Sequence, residues 1–540
     1  MLAAVQMRAP GRRHRIVAAI ALVGIAVGGC GGSTASNSSR SSVPGPTMVL
    51  VALPLQVNSA ALARAANDAS DPSSPSYRHF TSLASIAAMD GASSSSIAHD
   101  QARLREDGLA LSLDPTHGVF WGSVSASQVH QYFGTDLVEA QGTIEPEGAP
   151  TVPEGLTGVT GVVGLTATAP SAMASTAQSA SSSAACPPSI PSRESLAQLY
   201  GFTAALAAGD TGAGTSIEIV SINSLEPSVL SEYDRCTGAN VRGTQITQDA
   251  LPDVPSTGGG AEIALDSLVL TLLAPQAHLH VVRFDPVTSL SFPLLQLLGA
   301  DTTPELLDIT VGYCEQQVAA PAIGLSEWLL SAFAATGTTT VAAAGDTGSS
   351  GCHPQSNVPA VAYPGSSRFV ATAGGADYQG TAGSPEDLRV WNEQGISGGG
   401  GGTSSLIAAP PWQPGSRREL PDASAYAVPG GAGEIPVCTS STACGWQAVG
   451  GTSLTATVMG ALGVLVSQEL AAGGHPKRFG NLAGLIWRDA RQARSLTDIT
   501  AGANTTFAAS CCTATTGYDL ASGWGLFNPD ALRALVTRSR

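Results

Sequence analysis

From residue 186 onward the sequence alternates short apolar runs with longer helical ones, and that rhythm restricts the fold more than any other feature. Strand candidates are Ser216–Ile222, His278–Phe284, Leu306–Val311, Thr338–Ala344 and Phe369–Ala373. Helical runs lie between them at Ala261–Leu273, Phe292–Leu298 and Leu325–Ala335. Apolar strands alternating with helices build a parallel sheet covered on both faces, so the expected class is α/β. No internal repeat is visible. Only 12% of the 540 residues are charged and 43% are hydrophobic, against a usual charged share of about 25%. Such a chain can fill at least one large core.

The first thirty residues read as an address. Arg8, Arg12, Arg13 and Arg15 precede an apolar run, Ile16–Val27, that is too short to span a bilayer. It ends in Val27-Gly28-Gly29-Cys30. Small residues ahead of a lone cysteine resemble a bacterial lipobox, in which the cysteine is lipidated and becomes the new N-terminus. An ordinary secretory signal with a chance cysteine is the alternative. Either reading predicts export, with residues 1–29 as signal peptide. Cys30 is then the membrane anchor of the precursor, and residues 30–46 are a Gly/Ser/Pro tether. Net charge is −16 and Lys477 is the single lysine. With no basic patch to neutralise phosphates, nucleic acid is excluded as a partner.

Residues 47–142 read as a small α+β domain. It has strands at Met48–Leu55 and Gly118–Val124 and helices near Ala60–Ala66, Ile97–Glu106 and Ala126–Phe133. Residues 143–185, dominated by Ser, Ala and Thr from 168 on, read as an exposed cleavable linker. Residues 186–540 form the large domain. Setting Cys30 aside leaves eight cysteines, an even number that suits disulfides in an oxidising compartment. Cys438 and Cys444 bracket a short loop and are the easiest pair. Cys511 and Cys512 are adjacent, with Cα atoms closer than most disulfides tolerate, so each is expected to pair elsewhere.

Three segments carry chemistry. After Gly258-Gly259-Gly260, the helix Ala261–Leu273 is apolar almost all round, and Glu262 and Asp266 sit one turn apart on one face. Burying two carboxyls together requires a shared proton or hydrogen bonds. The plainer alternative is a first-turn acid at 262 over an exposed Asp266. Gly450-Gly451-Thr452-Ser453 delivers a serine to the start of a long apolar helix, where N–H groups can support an oxyanion; a simple helix cap would look the same. The strand Val341–Ala344 ends in Gly345-Asp346, at the strand end where α/β proteins build sites.

Together these segments resemble the sedolisins, the serine-carboxyl peptidases, whose signature is a helical Glu-x-x-x-Asp, an Asp after a core strand and a Gly-Thr-Ser at a helix start. Glu262/Asp266, Asp346 and Ser453 occur in that order. Tyr363-Pro364-Gly365-Ser366-Ser367, Val390-Trp391-Asn392-Glu393, Pro411-Trp412-Gln413 and Pro421-Asp422 also look like family segments. So do Asp71–Phe80 and Phe133-Gly134-Thr135 of the activation domain. The resemblance implies a subtilisin-like sheet behind a prodomain, with protein or peptide substrates and the chain's own prodomain as partners. Ser453 would be the nucleophile, Glu262 its base, Asp266 the residue that orients Glu262, and Asp346 an oxyanion donor. A carboxylate base exchanges its proton near a pKa that starts around 4, so such an enzyme prefers acid.

The resemblance further implies one Ca²⁺ held by Asp498, Ile499, Thr515, Gly517 and Asp519, two carboxylates with backbone carbonyls. Thr515 stands where the family usually has glycine. Histidine-dependent catalysis is disfavoured, since His278, His280, His353 and His475 lie in no matching motif. Gly395-Ile396-Ser397-Gly398-Gly399 matches a nucleophile elbow formally, but it runs into glycines rather than a helix and reads as a flexible loop. The competing reading from another class is a cell-envelope binding lipoprotein that kept this fold without activity. A monomer is the default.

Overall fold

The computed structural model describes residues 40–529 and 533, apart from 170–184, 242–244, 253, 255–257, 301, 381–383 and 493–495. The signal segment, Cys30, most of the tether and the Ser/Ala-rich run at 170–184 therefore lie outside the described residues.

Eight strands form the central sheet: β1 (Ser216–Ser221), β2 (Ile246–Ala250), β3 (His278–Arg283), β4 (Leu306–Ile309), β5 (Thr339–Ala343), β6 (Val370–Tyr378), β7 (Leu388–Val390) and β8 (Ala423–Tyr426). Their order is β2-β3-β1-β4-β5-β6-β7, with β8 also beside β6. Every pairing is parallel except β6 with β7. Four helices matter most: α1 (Ala261–Leu273), α2 (Ser291–Leu298), α3 (Ala320–Ala335) and α4 (Thr452–Ala472). α1 and α4 pack with Ile217, Ile219, Leu306 and Val341 on one face. α2 and α3 pack with Val220, Leu307, Ile309 and Ala342 on the other. This is the expected sheet between two helical layers, with the period-2 alternation of each strand feeding both. In β4 the alternation puts Asp308 on the side of Leu306, beneath α1 and α4. The central helix α4 comes very close to β4, because a Cβ at Gly463 would collide with Leu306.

The N-terminal domain has its own four-stranded antiparallel sheet, built from Ser112–Leu113, Val119–Ser125, Met48–Pro54 and Val163–Gly164. Val49, Val51 and Leu53 fill that domain's core. Leu50 and Ala52 face the other way and join the layer around α3. The domain thus docks on the helical layer opposite α1 and α4. The Trp328 indole N–H donates to Thr116 Oγ1 at 2.9 Å. A side chain at Gly118 would run into that indole. Thr168 donates through its N–H and hydroxyl to Asp285 at 2.6 and 2.8 Å, and Arg488 pairs with Asp71 at 2.8 Å.

Three expectations need correction. Residues 143–168 are not linker. Gln141 and Gly142, with φ of 53° and 79°, turn the chain back so that Thr143–Pro146 pairs with Leu137–Ala140. Ala167–Thr168 then pairs with Thr143–Ile144, completing a second sheet of the N-terminal domain. Cys511 and Cys512 do not pair elsewhere: they pair with each other. Cys186–Cys236, Cys314–Cys352 and Cys438–Cys444 take up the other six. The glycine run is not a flexible loop either. Ser397 to Gly401 are buried, and side chains at Gly399, Gly400 or Gly401 would strike the backbone of Gly375, Ala344 or Leu520.

Candidate active site

Four carboxyl groups and one serine converge beneath the start of α4. The glycines before α1 thread its first turn through a narrow gap. A Cβ at Gly259 would meet the carbonyl of Cys438, and one at Gly260 the side chain of Asn223. Residues Ile263 to Leu273 are all buried, as an all-round apolar helix requires. Glu262 and Asp266 share the face turned toward α4, and Asp266 is 1% exposed, which removes the plainer alternative for that residue. Thr310, just beyond β4, donates its hydroxyl to Asp266 Oδ2 at 2.9 Å. Thr457 donates to Asp266 Oδ1 at 2.9 Å.

Ser453 and Thr457 are one turn apart on α4, as Glu262 and Asp266 are on α1. The two pairs face each other: Thr457 donates to Asp266, and the Ser453 hydroxyl lies beside Glu262, whose Oε1 accepts no hydrogen bond. Ser453 is 7% exposed. Burial raises the Glu262 pKa from 4.5 to about 7, helped by the charge of Asp346 and opposed by the hydroxyls of Ser453 and Thr310. Asp266 is raised well above its ordinary value by burial, by Glu262 and by Asp308. No cation is among the groups acting on either one. Two acids one turn apart, Asp266 buried and Glu262 half-buried, titrate as a unit and hold a proton between them above the usual carboxylate range.

Asp346 follows β5 and is locked to the start of α4. The Thr452 N–H and hydroxyl both donate to its Oδ1, at 2.7 and 2.8 Å, and the Gly345 N–H donates to Thr452 Oγ1 at 3.0 Å. Gly451 has φ 94°, and a Cβ there would collide with Asp346 Oδ2. Burial and the nearby Glu393 charge raise the Asp346 pKa. Both donors fall on Oδ1, so Oδ2 is the oxygen available to carry a proton and donate it in a hydrogen bond.

The structure therefore gathers all four residues singled out from sequence. Sequence reasoning missed Thr310, Thr457 and Asp308. The last was legible as an acid inside an otherwise apolar strand. The rival bases are occupied elsewhere: His280 lies between Glu218 and Asp249, at 2.5 and 3.1 Å, and His353 stacks on Phe507. Lys477 reaches the carbonyl of Gly214.

A second cluster joins the C-terminal segments. Asp498 Oδ2 accepts from the Gly517 N–H at 2.8 Å, and Asp519 Oδ2 from the Thr515 N–H at 2.8 Å. Asp519 Oδ1 accepts from Ala521, and from the N–H and hydroxyl of Ser522. The Ile499 side chain lies in a small apolar cluster, so only its backbone is free to contribute. Asp498 Oδ1 is buried and accepts nothing. A carboxylate oxygen left without a donor beside a second carboxylate fits a hard cation. Among the described residues no group of three or more acid, histidine or cysteine side chains is placed to hold a metal ion, so carbonyls would supply the remaining donors.

Residues 37–168 match the family of the Pro-kumamolisin activation domain. Kumamolisin of Bacillus sp. (strain MN-32) is 29% identical over 301 residues, which is 51% of this chain and 52% of that protein. The chain thus spans about half the length of the curated relative it matches. Among solved structures, Pseudomonas sedolisin, a serine-carboxyl proteinase complexed with two molecules of pseudo-iodotyrostatin, superposes with a TM-score of 0.53 at 22% identity. That alignment covers 66% of this chain and 99% of the sedolisin chain. The large domain has the sedolisin, subtilisin-like fold, and a domain that matches the Pro-kumamolisin activation domain precedes it.

Proposed function

We propose that this chain, a relative of the sedolisins, is the zymogen of an acid-acting serine-carboxyl peptidase. The observation that carries the reading is the Ser453 hydroxyl beside Glu262, whose Oε1 is left without a partner, with Asp266 buried behind them and Asp346 locked to the start of the same helix as Ser453. Ser453 Oγ attacks the peptide carbonyl while Glu262 takes its proton and later gives it to the leaving amine. Asp266, fixed by Thr310 and Thr457, shares a proton with Glu262 and holds its orientation. Asp346 donates from Oδ2 to the oxyanion, and the Ser453 N–H, in the first turn and without an intrahelical acceptor, donates beside it. The substrates are proteins or peptides, and the activation domain is held until acid releases it.

The address and the cation belong to the same proposal. The sequence of residues 8–30 supports export and lipidation at Cys30, and cleavage between about 168 and 190 would free the peptidase from that anchor. The calcium site would use Asp498 and Asp519 with the carbonyls of Ile499, Thr515 and Gly517. The ion would tie the two segments together and take no part in the chemistry.

The test is acid activation. The purified chain is incubated from pH 3 to 7 with calcium, beside Ser453→Ala and Glu262→Ala, while chain mass and casein cleavage are followed. The expected outcome is shortening to a form that starts near Cys186, with acid-dependent proteolysis absent from both variants. A parent chain that stays intact and inert at every pH overturns the reading and leaves the binding lipoprotein.

A further inference from the structure

The floor of the site holds an acid that the peptidase reading does not use. Asp308 lies in β4, with Leu307 and Ile309 turned to the α2–α3 layer and Leu306 to the α1–α4 layer. Period-2 alternation therefore aims its carboxyl up at α1 and α4, on the side of Thr310. It is 0% exposed, and neither of its oxygens accepts a hydrogen bond. The Thr457 hydroxyl is its polar neighbour on α4, but that hydroxyl gives its single proton to Asp266. The titratable groups that act on Asp308 and its partner are Glu262 and Asp266, both from α1. Glu262 in turn feels Asp346 from the end of β5. α4 contributes no titratable group here, and no cation acts on any member of the cluster.

A carboxylate sealed from water with no donor is a very costly species, whereas the neutral acid is a donor that needs one acceptor. Asp266 has one donor on each oxygen and spare lone pairs on both. We propose that Asp308 is a third member of the Glu262–Asp266 cluster, a positioning residue that is protonated at the working pH, faces Asp266 and, as it ionises with rising pH, keeps Asp266 from losing its own proton. The proposal rests on the peptidase reading for its kinetic consequence. No bond to substrate is involved, and the proton on Asp308 does not leave during the reaction. Glu262 alone exchanges a proton with Ser453 and the leaving amine. Burial holds the Asp308 pKa up, near 8. Once Asp308 ionises, its charge makes ionisation of Asp266 harder, which extends the active protonation state to higher pH.

The experiment compares full-length parent, Asp308→Asn and Asp308→Ser by the pH dependence of kcat and kcat/KM on a peptide substrate after acid activation. The amide keeps shape and a donor but cannot ionise; the serine tests whether bulk alone matters. In Asp308→Asn the alkaline limb is expected to move to lower pH by about half a unit or more, roughly a threefold loss of kcat/KM on that shoulder. The acid limb and KM should stay where they are. A profile that superimposes on the parent's overturns the proposal, whatever happens to stability. The infrared difference spectrum of Ser453→Ala against Ser453→Ala with Asp308→Asn gives a readout that needs no activity. Loss of a protonated-carboxyl stretch at neutral pH supports the protonated acid, and its absence overturns it. If the parent shows no proteolysis, the peptidase reading fails, and the spectrum still decides the state of Asp308.

Discussion

Replacing Glu262 by glutamine should stabilise this protein at pH 8 and leave it unchanged at pH 4. The carboxyl is raised from 4.5 to about 7 in the folded chain, so between those values the native state holds a proton that the unfolded state has released. Stability then falls as pH rises through that window, because the native state binds more protons. At 1.36 kcal/mol per pH unit, the rise from 4.5 to about 7 corresponds to roughly 3 kcal/mol lost between pH 4 and pH 8. Glutamine has nearly the same shape and no charge to bury, so it escapes this loss. It also lowers the cost of ionising Asp266, whose acid is held up partly by Glu262. The assay is urea unfolding of the Ser453→Ala chain, which cannot cleave itself, with and without Glu262→Gln, at both pH values. The variant should match the parent at pH 4 and unfold at a higher urea concentration at pH 8. Equal destabilisation at both pH values would mean that the native fold does not favour the protonated glutamate over the ionised one, and the account of the site as a proton-holding pair would fall.

Two further outcomes follow from local geometry. Gly451→Ala places a methyl against Asp346 Oδ2 at a backbone φ of 94°; displacing one oxyanion donor typically costs about 10²–10³ in kcat. A kinetic comparison with the parent should show that loss with little change in KM, and a near-normal kcat would exclude Asp346 from the oxyanion site. Chelation of calcium should lower the melting temperature of the parent by several degrees, and Asp498→Asn should abolish that response. A parent melt indifferent to both chelator and added calcium would remove the ion from the proposal.

The sheet, its two helical layers and the meeting of residues 262, 266, 346 and 453 were legible because each depends on a short-range pattern. Apolar strands alternate with helices, two acids stand one turn apart, and glycines mark the points where a serine or an aspartate leaves a strand or enters a helix. Ala261–Leu273 agrees with its predicted bounds. What escaped depends on tertiary partners. Thr310 and Thr457 look like ordinary residues of a strand end and a helix until the fold turns both hydroxyls on Asp266. Ile246–Ala250 is an edge strand with mostly exposed polar residues, so it carries no apolar run to announce it. Residues 143–168 were misread because their composition is that of a loop, while the Gln141–Gly142 turn that pairs them acts through backbone angles. The glycines at 398–401 suggested freedom, yet they are there because neighbouring backbone leaves no room for a side chain.

The central helix that presents Ser453 has a consequence for how the chain is made. Its 21 residues, Thr452–Ala472, are long and apolar enough to cross a bilayer, and 83% of their most apolar stretch is buried in the fold. The sheet, α1 and the rest of that core layer give the stretch a place other than lipid. Whenever the chain passes a membrane unfolded, the stretch competes as a halt signal, and the Ser, Thr and Gly residues spaced along it weaken that competition. The residues that let α4 lie against the sheet and carry the nucleophile therefore also make it a poor membrane anchor.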